Sequence, residues 1–189
     1  MTKLSMKEAI FNRRMLICIF TGFSSGLPLF VLYQLVPGWL RAEGVSLAEI
    51  GLFSLIGIPY VGKCVWSPAL DRVSFPFLGR RRGWMLITQV ALLISIGVFG
   101  FINPTLNIWS VAYLAAAVAF FSASQDIVID AYRRELLSDQ ELGLGNSLSV
   151  QAYRISGLVP GSLAFIRADH MPWSTVFIVV AAFMTIGII

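Results

Sequence analysis

Two aspartates, Asp126 and Asp130, stand four residues apart in the stretch Ala123-Ser124-Gln125-Asp126-Ile127-Val128-Ile129-Asp130-Ala131-Tyr132. That spacing puts both carboxylates on one face of a helix. The stretch closes an apolar run that starts near Asn107, so the first carboxylate falls within the thickness of a lipid bilayer. A charge at the centre of a membrane helix costs about 2.5–3.5 kcal/mol on insertion scales, and ionisable groups kept there mark substrate or proton pathways. Lys63 and Arg154 also lie inside apolar runs. Two readings follow. The four groups neutralise one another and tie helices together, or they surround a water-filled cavity. In the second case, low dielectric and the like charge of Asp130 disfavour the ionised form of Asp126. A carboxylate poised in this way loads a proton on one side of the membrane and releases it on the other. Asp126 and Asp130 are therefore the candidate proton-coupling residues, with Lys63 and Arg154 as substrate anchors or counter-ions. Asp130, nearer the charged end of the run, has the alternative of pairing with Arg133, Arg134 or Arg72.

The elements that position these groups are membrane helices. Of 189 residues, 57% are hydrophobic and only 13% charged, with a mean hydropathy of +0.80; a soluble domain carries about 25% charged residues. Apolar runs at about 15–40, 47–69, 84–102, 107–132, 142–166 and 173–189 predict an all-α membrane protein of six transmembrane helices. The first run is too long for a signal-peptide core and no small-residue cleavage site follows it. Ser5-Met6-Lys7-Glu8, Ser46-Leu47-Ala48-Glu49 and Ser138-Asp139-Gln140-Glu141 fit capping boxes. Gly22, Gly26 and Pro28 predict a kink in the first run, with Tyr33 and Gln34 one turn beyond it. The sixth run holds 17 residues, the lower limit for crossing, so the chain is expected to be cut off within or just at the end of its sixth helix.

Charge sets the orientation. The N-terminus and the second and fourth connections hold Lys3, Lys7, Arg13, Arg14, Arg72, Arg80, Arg81, Arg82, Arg133 and Arg134, whereas the opposite connections hold Arg41 and Arg167. This bias predicts a cytoplasmic N-terminus and explains the arginine cluster without nucleic acid. Enzyme chemistry finds no support: there is no phosphate loop, dinucleotide fingerprint or metal-ligand spacing, and no catalytic or metal residue is assigned. Gly22-Phe23-Ser24-Ser25-Gly26 matches the hydrolase elbow by letter, but the strand that elbow needs is missing and the one histidine, His170, lies in a loop. Cys18 and Cys64 sit in apolar runs and read as small core residues rather than a disulfide or metal pair. Gly157-x-x-x-Gly161 reads as close helix packing.

Asp71-Arg72 followed by Gly79-Arg80-Arg81-Arg82, between the second and third runs, resembles the cytoplasmic loop signature of the major facilitator superfamily, with Ser74 to Leu78 as an insertion. More specifically, Phe23-Ser24-Ser25-Gly26-Leu27-Pro28-Leu29, Lys63-Cys64-Val65-Trp66-Ser67-Pro68, Phe77 to Trp84, Ser122 to Ile127 and Tyr153 to Val159 resemble the bacterial anhydromuropeptide permeases, the AmpG-like proteins. The acetyl-coenzyme A transporters look similar around Ser124-Gln125-Asp126. The resemblance implies import of N-acetylglucosaminyl-1,6-anhydro-muramyl peptides across a bacterial inner membrane. It implies coupling to the proton gradient with no other cofactor, a role in cell-wall recycling, and a link to beta-lactamase induction. It also implies that Asp71, Arg72, Arg80, Arg81 and Arg82 form a gating loop. Muropeptide carboxylates then suit Lys63 or Arg154, and sugar hydroxyls suit Gln125 or Gln34. Such transporters have two six-helix halves, and this chain matches the N-terminal one. The other half is expected as a missing C-terminal segment or as a second copy, with a non-transporting remnant as the alternative.

Overall fold

A computed structural model describes residues 12–72 and 79–187, apart from the side chains of Leu52, Ser54, Asp71 and Arg80. The Ser5–Glu8 box, Lys3, Lys7 and the Ser74–Leu78 insertion lie outside the described residues. Within them the chain is helix and turn, with no strand.

Helix α1 (Arg13–Phe30) starts at Asn12, whose side chain accepts a hydrogen bond from the Arg14 amide. Pro28 cannot donate back along the helix, and one turn later the chain widens into a π turn, Val31–Leu35, before continuing as α2 (Val36–Ala42). The predicted kink is thus a π bulge, a feature that concentrates at functional sites. Gly44, at φ 87°, turns the chain out of α2 in a conformation that L side chains rarely adopt.

The second apolar run differs from the expected single helix over 47–69. It is divided into α3 (Leu47–Leu52), a 3-10 turn (Phe53–Gly57), α4 (Ile58–Gly62), a turn, and α5 (Ser67–Arg72). Pro59 and Pro68 each remove one backbone donor, and Gly51, Gly57 and Gly62 loosen the turns between them. The Ser46–Glu49 capping box forms in full, with each partner bonding the other's backbone.

Helix α6 (Arg80–Phe99) takes in the three arginines as its first turn, and α7 (Ile108–Leu136) runs one turn past the expected end to include Arg133 and Arg134. Helix α8 (Leu142–Ser156) is followed by a second π turn, Val159–Leu163, around Pro160, and by α9 (Ala164–Ala168). Helix α10 (Trp173–Phe183) ends in a 3-10 turn, Met184–Gly187. Three of these segments, Arg13–Ala42, Arg81–Phe99 and Ile108–Leu136, are long and apolar enough to cross a membrane.

The most extensive contact joins α1 to α8. A Cβ on Gly22 would lie 2.5 Å from the Ser149 carbonyl oxygen, and one on Gly26 would lie 2.6 Å from that of Tyr153. Only glycine permits this approach, as in the small-residue faces that pack membrane helices. The two π turns also touch: Gly161 receives the Gln34 side chain and Gly157 the Phe30 ring. The core is capped by Trp39, Phe99 and Phe177, with Trp39–Phe177 centroids 5.0 Å apart and Phe99–Phe177 centroids 5.5 Å apart. Phe101, Leu106, Trp109 and Tyr113 are all exposed around the Asn103 turn, an aromatic fringe of the kind found at a membrane–water boundary. The arginines of α6 and α7 lie at the other ends of those helices.

Candidate functional site

Consecutive positions on α7 reach different helices. Ser124 Oγ accepts from the Trp66 indole at 3.0 Å and donates to the Phe120 carbonyl at 2.8 Å, tying the divided second run to α7. The Gln125 amide donates to Gln89 Oε1 on α6. Asp126 Oδ1 accepts from the Ser25 hydroxyl on α1. Four residues before Asp126, the buried hydroxyl of Ser122 faces that of Tyr60. A helix lying free in lipid would leave these groups unsatisfied, so they bond only where neighbouring helices bring partners.

The amides form a buried network. Gln89 Oε1 accepts from Ser24 Oγ at 2.7 Å as well as from Gln125, and Gln89 Nε2 donates to the Met184 carbonyl. Four chain segments, α1, α6, α7 and the terminal 3-10 turn, thus converge on one side chain. Gln125 is 1% exposed and its Oε1 has no partner. The structure therefore places Gln125 inside the bundle and not on an open cavity.

The two aspartates part company. Asp126 is half-buried, and the charges of Lys63, Asp130 and Arg133 act on it. Asp130 is exposed and pairs with Arg133 at 3.3 Å, one turn along α7; this is one of the alternatives its position allowed. Lys63 sits half-buried in the turn between α4 and α5, where Pro68 and the preceding glycine free it from a continuous helix. With Arg72 and Asp130 it lines a cavity of about 570 Å³. Arg154 is exposed on the last turn of α8, and no ion pair among the described residues joins it to either aspartate. Gln34 is exposed on the first π turn. The four ionisable groups therefore do not form one closed cluster: Asp126, Lys63 and Asp130 share a region, and Arg154 stands apart from them.

At the arginine-rich end, three contacts join helices. Arg14 bonds Glu141 at 3.1 Å, Arg81 Nε bonds Glu135 at 3.0 Å, and Arg133 bonds Asn146 at 3.1 Å. The Ser138 hydroxyl and amide also donate to Glu141, and together with Arg14 they hold its carboxyl below the usual glutamate range. Arg72 and Arg82 are exposed, while the side chains of Asp71 and Arg80 lie outside the described set.

Ser25, Gln89, Trp66 and Tyr60 escape a search for ionisable groups because none of them carries charge at neutral pH. Their signal is a polar side chain inside a run of membrane length, visible for Gln89 and for Ser24-Ser25 between two glycines.

The family model described as acetyl-coenzyme A transporter 1 matches residues 14–156. A Haemophilus influenzae protein of undescribed function is 53% identical over 184 residues, covering 97% of this chain and 43% of its own length. The anhydromuropeptide permease of Escherichia coli K12 is 44% identical over 172 residues, covering 90% of this chain and 35% of its own length. The chain thus spans less than half the length of these curated relatives.

Proposed function

Because this chain belongs to the acetyl-coenzyme A transporter 1 family and is similar to an anhydromuropeptide permease, we propose that it forms the N-terminal half of a proton-coupled importer of anhydromuropeptides. The transporter works in a bacterial inner membrane with the N-terminus of this chain in the cytoplasm. Its six spans face a second six-helix bundle, supplied by further chain or by a second copy, and the substrate passes between the two. The imported fragments feed cell-wall recycling and the signal that induces beta-lactamase.

One observation carries this reading. Asp126 lies in a 29-residue apolar helix, bonded to a serine of another helix and still half-buried in the neighbourhood of Lys63. A carboxyl in that setting exchanges a proton in either of two access states. Lys63 offers a cation to a muropeptide carboxylate, and Gln34 and Arg154 offer exposed polar groups. The cytoplasmic contacts of Arg14, Arg81 and Arg133 close the bundle beneath the pathway.

The test is uptake into energised membrane vesicles. Asp126→Asn is expected to abolish accumulation against a gradient while leaving the protein in the membrane. Undiminished uphill uptake in that variant would remove Asp126 from coupling. The description of the family model favours a second substrate class, so the same vesicles are offered acetyl-coenzyme A. Accumulation of the thioester without the muropeptide would reassign the substrate, and accumulation of neither would indicate a membrane protein that does not transport.

A further inference from the structure

The Gly22-Phe23-Ser24-Ser25-Gly26 segment, which has no part in hydrolysis, gains a role from its geometry. Residues on a helix are spaced by about 100°. Gly22 and Gly26 therefore share one face, Ser25 lies to one side of it and Ser24 further round. The two glycines seat that face on α8, with a Cβ at either position falling within 2.6 Å of backbone oxygens there. This contact fixes the rotation of α1 about its own axis. With the rotation fixed, the adjacent hydroxyls point to different helices. Ser24 bonds Gln89 of α6 at 2.7 Å, and Ser25, 8% exposed, bonds Asp126 of α7.

Asp126 Oδ1 accepts the Ser25 hydroxyl, and Oδ2 takes no hydrogen bond among the described residues. Lys63 from the divided second run, Asp130 and Arg133 from α7, and Tyr60 and Tyr153 from α4 and α8 are the other titratable groups whose charges couple to this carboxyl. None of them forms an ion pair with it.

We propose that Ser25 is a positioning residue for the proton carrier: it reserves Oδ1 as an acceptor, so that the transported proton is taken up on, and released from, Oδ2 of Asp126. The inference rests on the reading that Asp126 couples transport to protons. The proton forms one O–H bond at Oδ2 and leaves from the same atom, and Ser25 keeps its own proton throughout. Ser25 does not touch the transported solute; it acts through the carboxyl, by holding one rotamer and one free oxygen.

Infrared difference spectroscopy of the full transporter in lipid tests this. The carbonyl stretch of protonated Asp126 is the band that Asp126→Asn removes. With Oδ1 hydrogen-bonded that stretch is lowered, so Ser25→Ala is expected to move the band to higher wavenumber and to reduce protons carried per substrate. Ser25→Thr, which restores a hydroxyl, is expected to return both. A purely structural serine would change the amount of folded protein without moving the band. A band unmoved by Ser25→Ala overturns the positioning role even if Asp126→Asn abolishes uphill uptake. If Ser25→Ala fails to fold, Ser25→Cys keeps the size with a weaker donor, and an unmoved band there overturns the proposal equally. No band removed by Asp126→Asn would instead overturn the coupling reading on which the proposal stands.

Discussion

Replacing Gln89 by leucine tests whether the buried amide network holds the bundle together. The substitution keeps the side chain near its original volume, so little cavity forms, but it removes three hydrogen bonds at once. Ser24 Oγ and Gln125 Nε2 lose their acceptor, and the Met184 carbonyl loses its donor. All three partners are buried, and Gln125 Oε1 is already unpaired. Hydrogen bonds between membrane helices average about 0.6 kcal/mol in double-mutant cycles, so the three together are worth about 2 kcal/mol. At 1.4 kcal/mol per factor of ten, the folded-to-unfolded ratio should fall about 30-fold. Reversible unfolding in mixed detergent micelles, followed by tryptophan fluorescence, measures it. The companion variant Gln125→Leu removes the orphaned amide, so Gln89→Leu/Gln125→Leu should be destabilised by less than the sum of the single changes, with a coupling of at least about 0.5 kcal/mol. A loss below about 0.5 kcal/mol for Gln89→Leu, or strict additivity in the pair, would refute the network.

Other consequences are equally direct. Gly26→Val places branched carbons where a single Cβ already falls 2.6 Å from the Tyr153 carbonyl oxygen; the expected result is loss of folded protein from the membrane, seen by size-exclusion profile. Trp66→Phe keeps a ring but deletes the 3.0 Å bond to Ser124, and a cost of about 0.6 kcal/mol in the same unfolding assay is expected. Because the Glu141 carboxyl is held below the usual glutamate range in the folded chain, its contribution is present above the unfolded value and is lost as pH falls through the folded one. Amide-exchange protection at the start of α8, taken relative to the intrinsic exchange rate at each pH, should therefore fall on acidification, and Glu141→Gln should flatten that dependence. If Gln125 serves the network and not the solute, Gln125→Leu should lower stability while leaving the KM of uptake within twofold of wild type.

Much of this protein is determined locally. Runs of apolar residues longer than a bilayer core define where helices form, and the Ser46–Glu49 box sets a helix start because its partners lie three residues apart. Pro28 and Pro160 foretell backbone disruption, since each removes a donor whatever surrounds it. The placement of Asp126 and Asp130 in a lipid-length helix is likewise visible in the sequence, where an ionisable group is costly wherever its helix packs.

What the amino-acid order leaves open is which groups meet. Ser25 is 101 residues from Asp126, Gln89 is 95 residues from Met184 and Trp66 is 58 residues from Ser124. Those pairings depend on the rotation of each helix about its axis, and that rotation is set by the glycine face of α1 against α8 and by the aromatic cluster at Trp39. The same packing separates two aspartates that helical spacing puts on one face. Asp126 turns to a serine of α1, while Asp130 stays exposed and pairs with Arg133 one turn along its own helix. Helical periodicity sets the face a residue shares, and only the neighbouring helices decide what stands opposite that face.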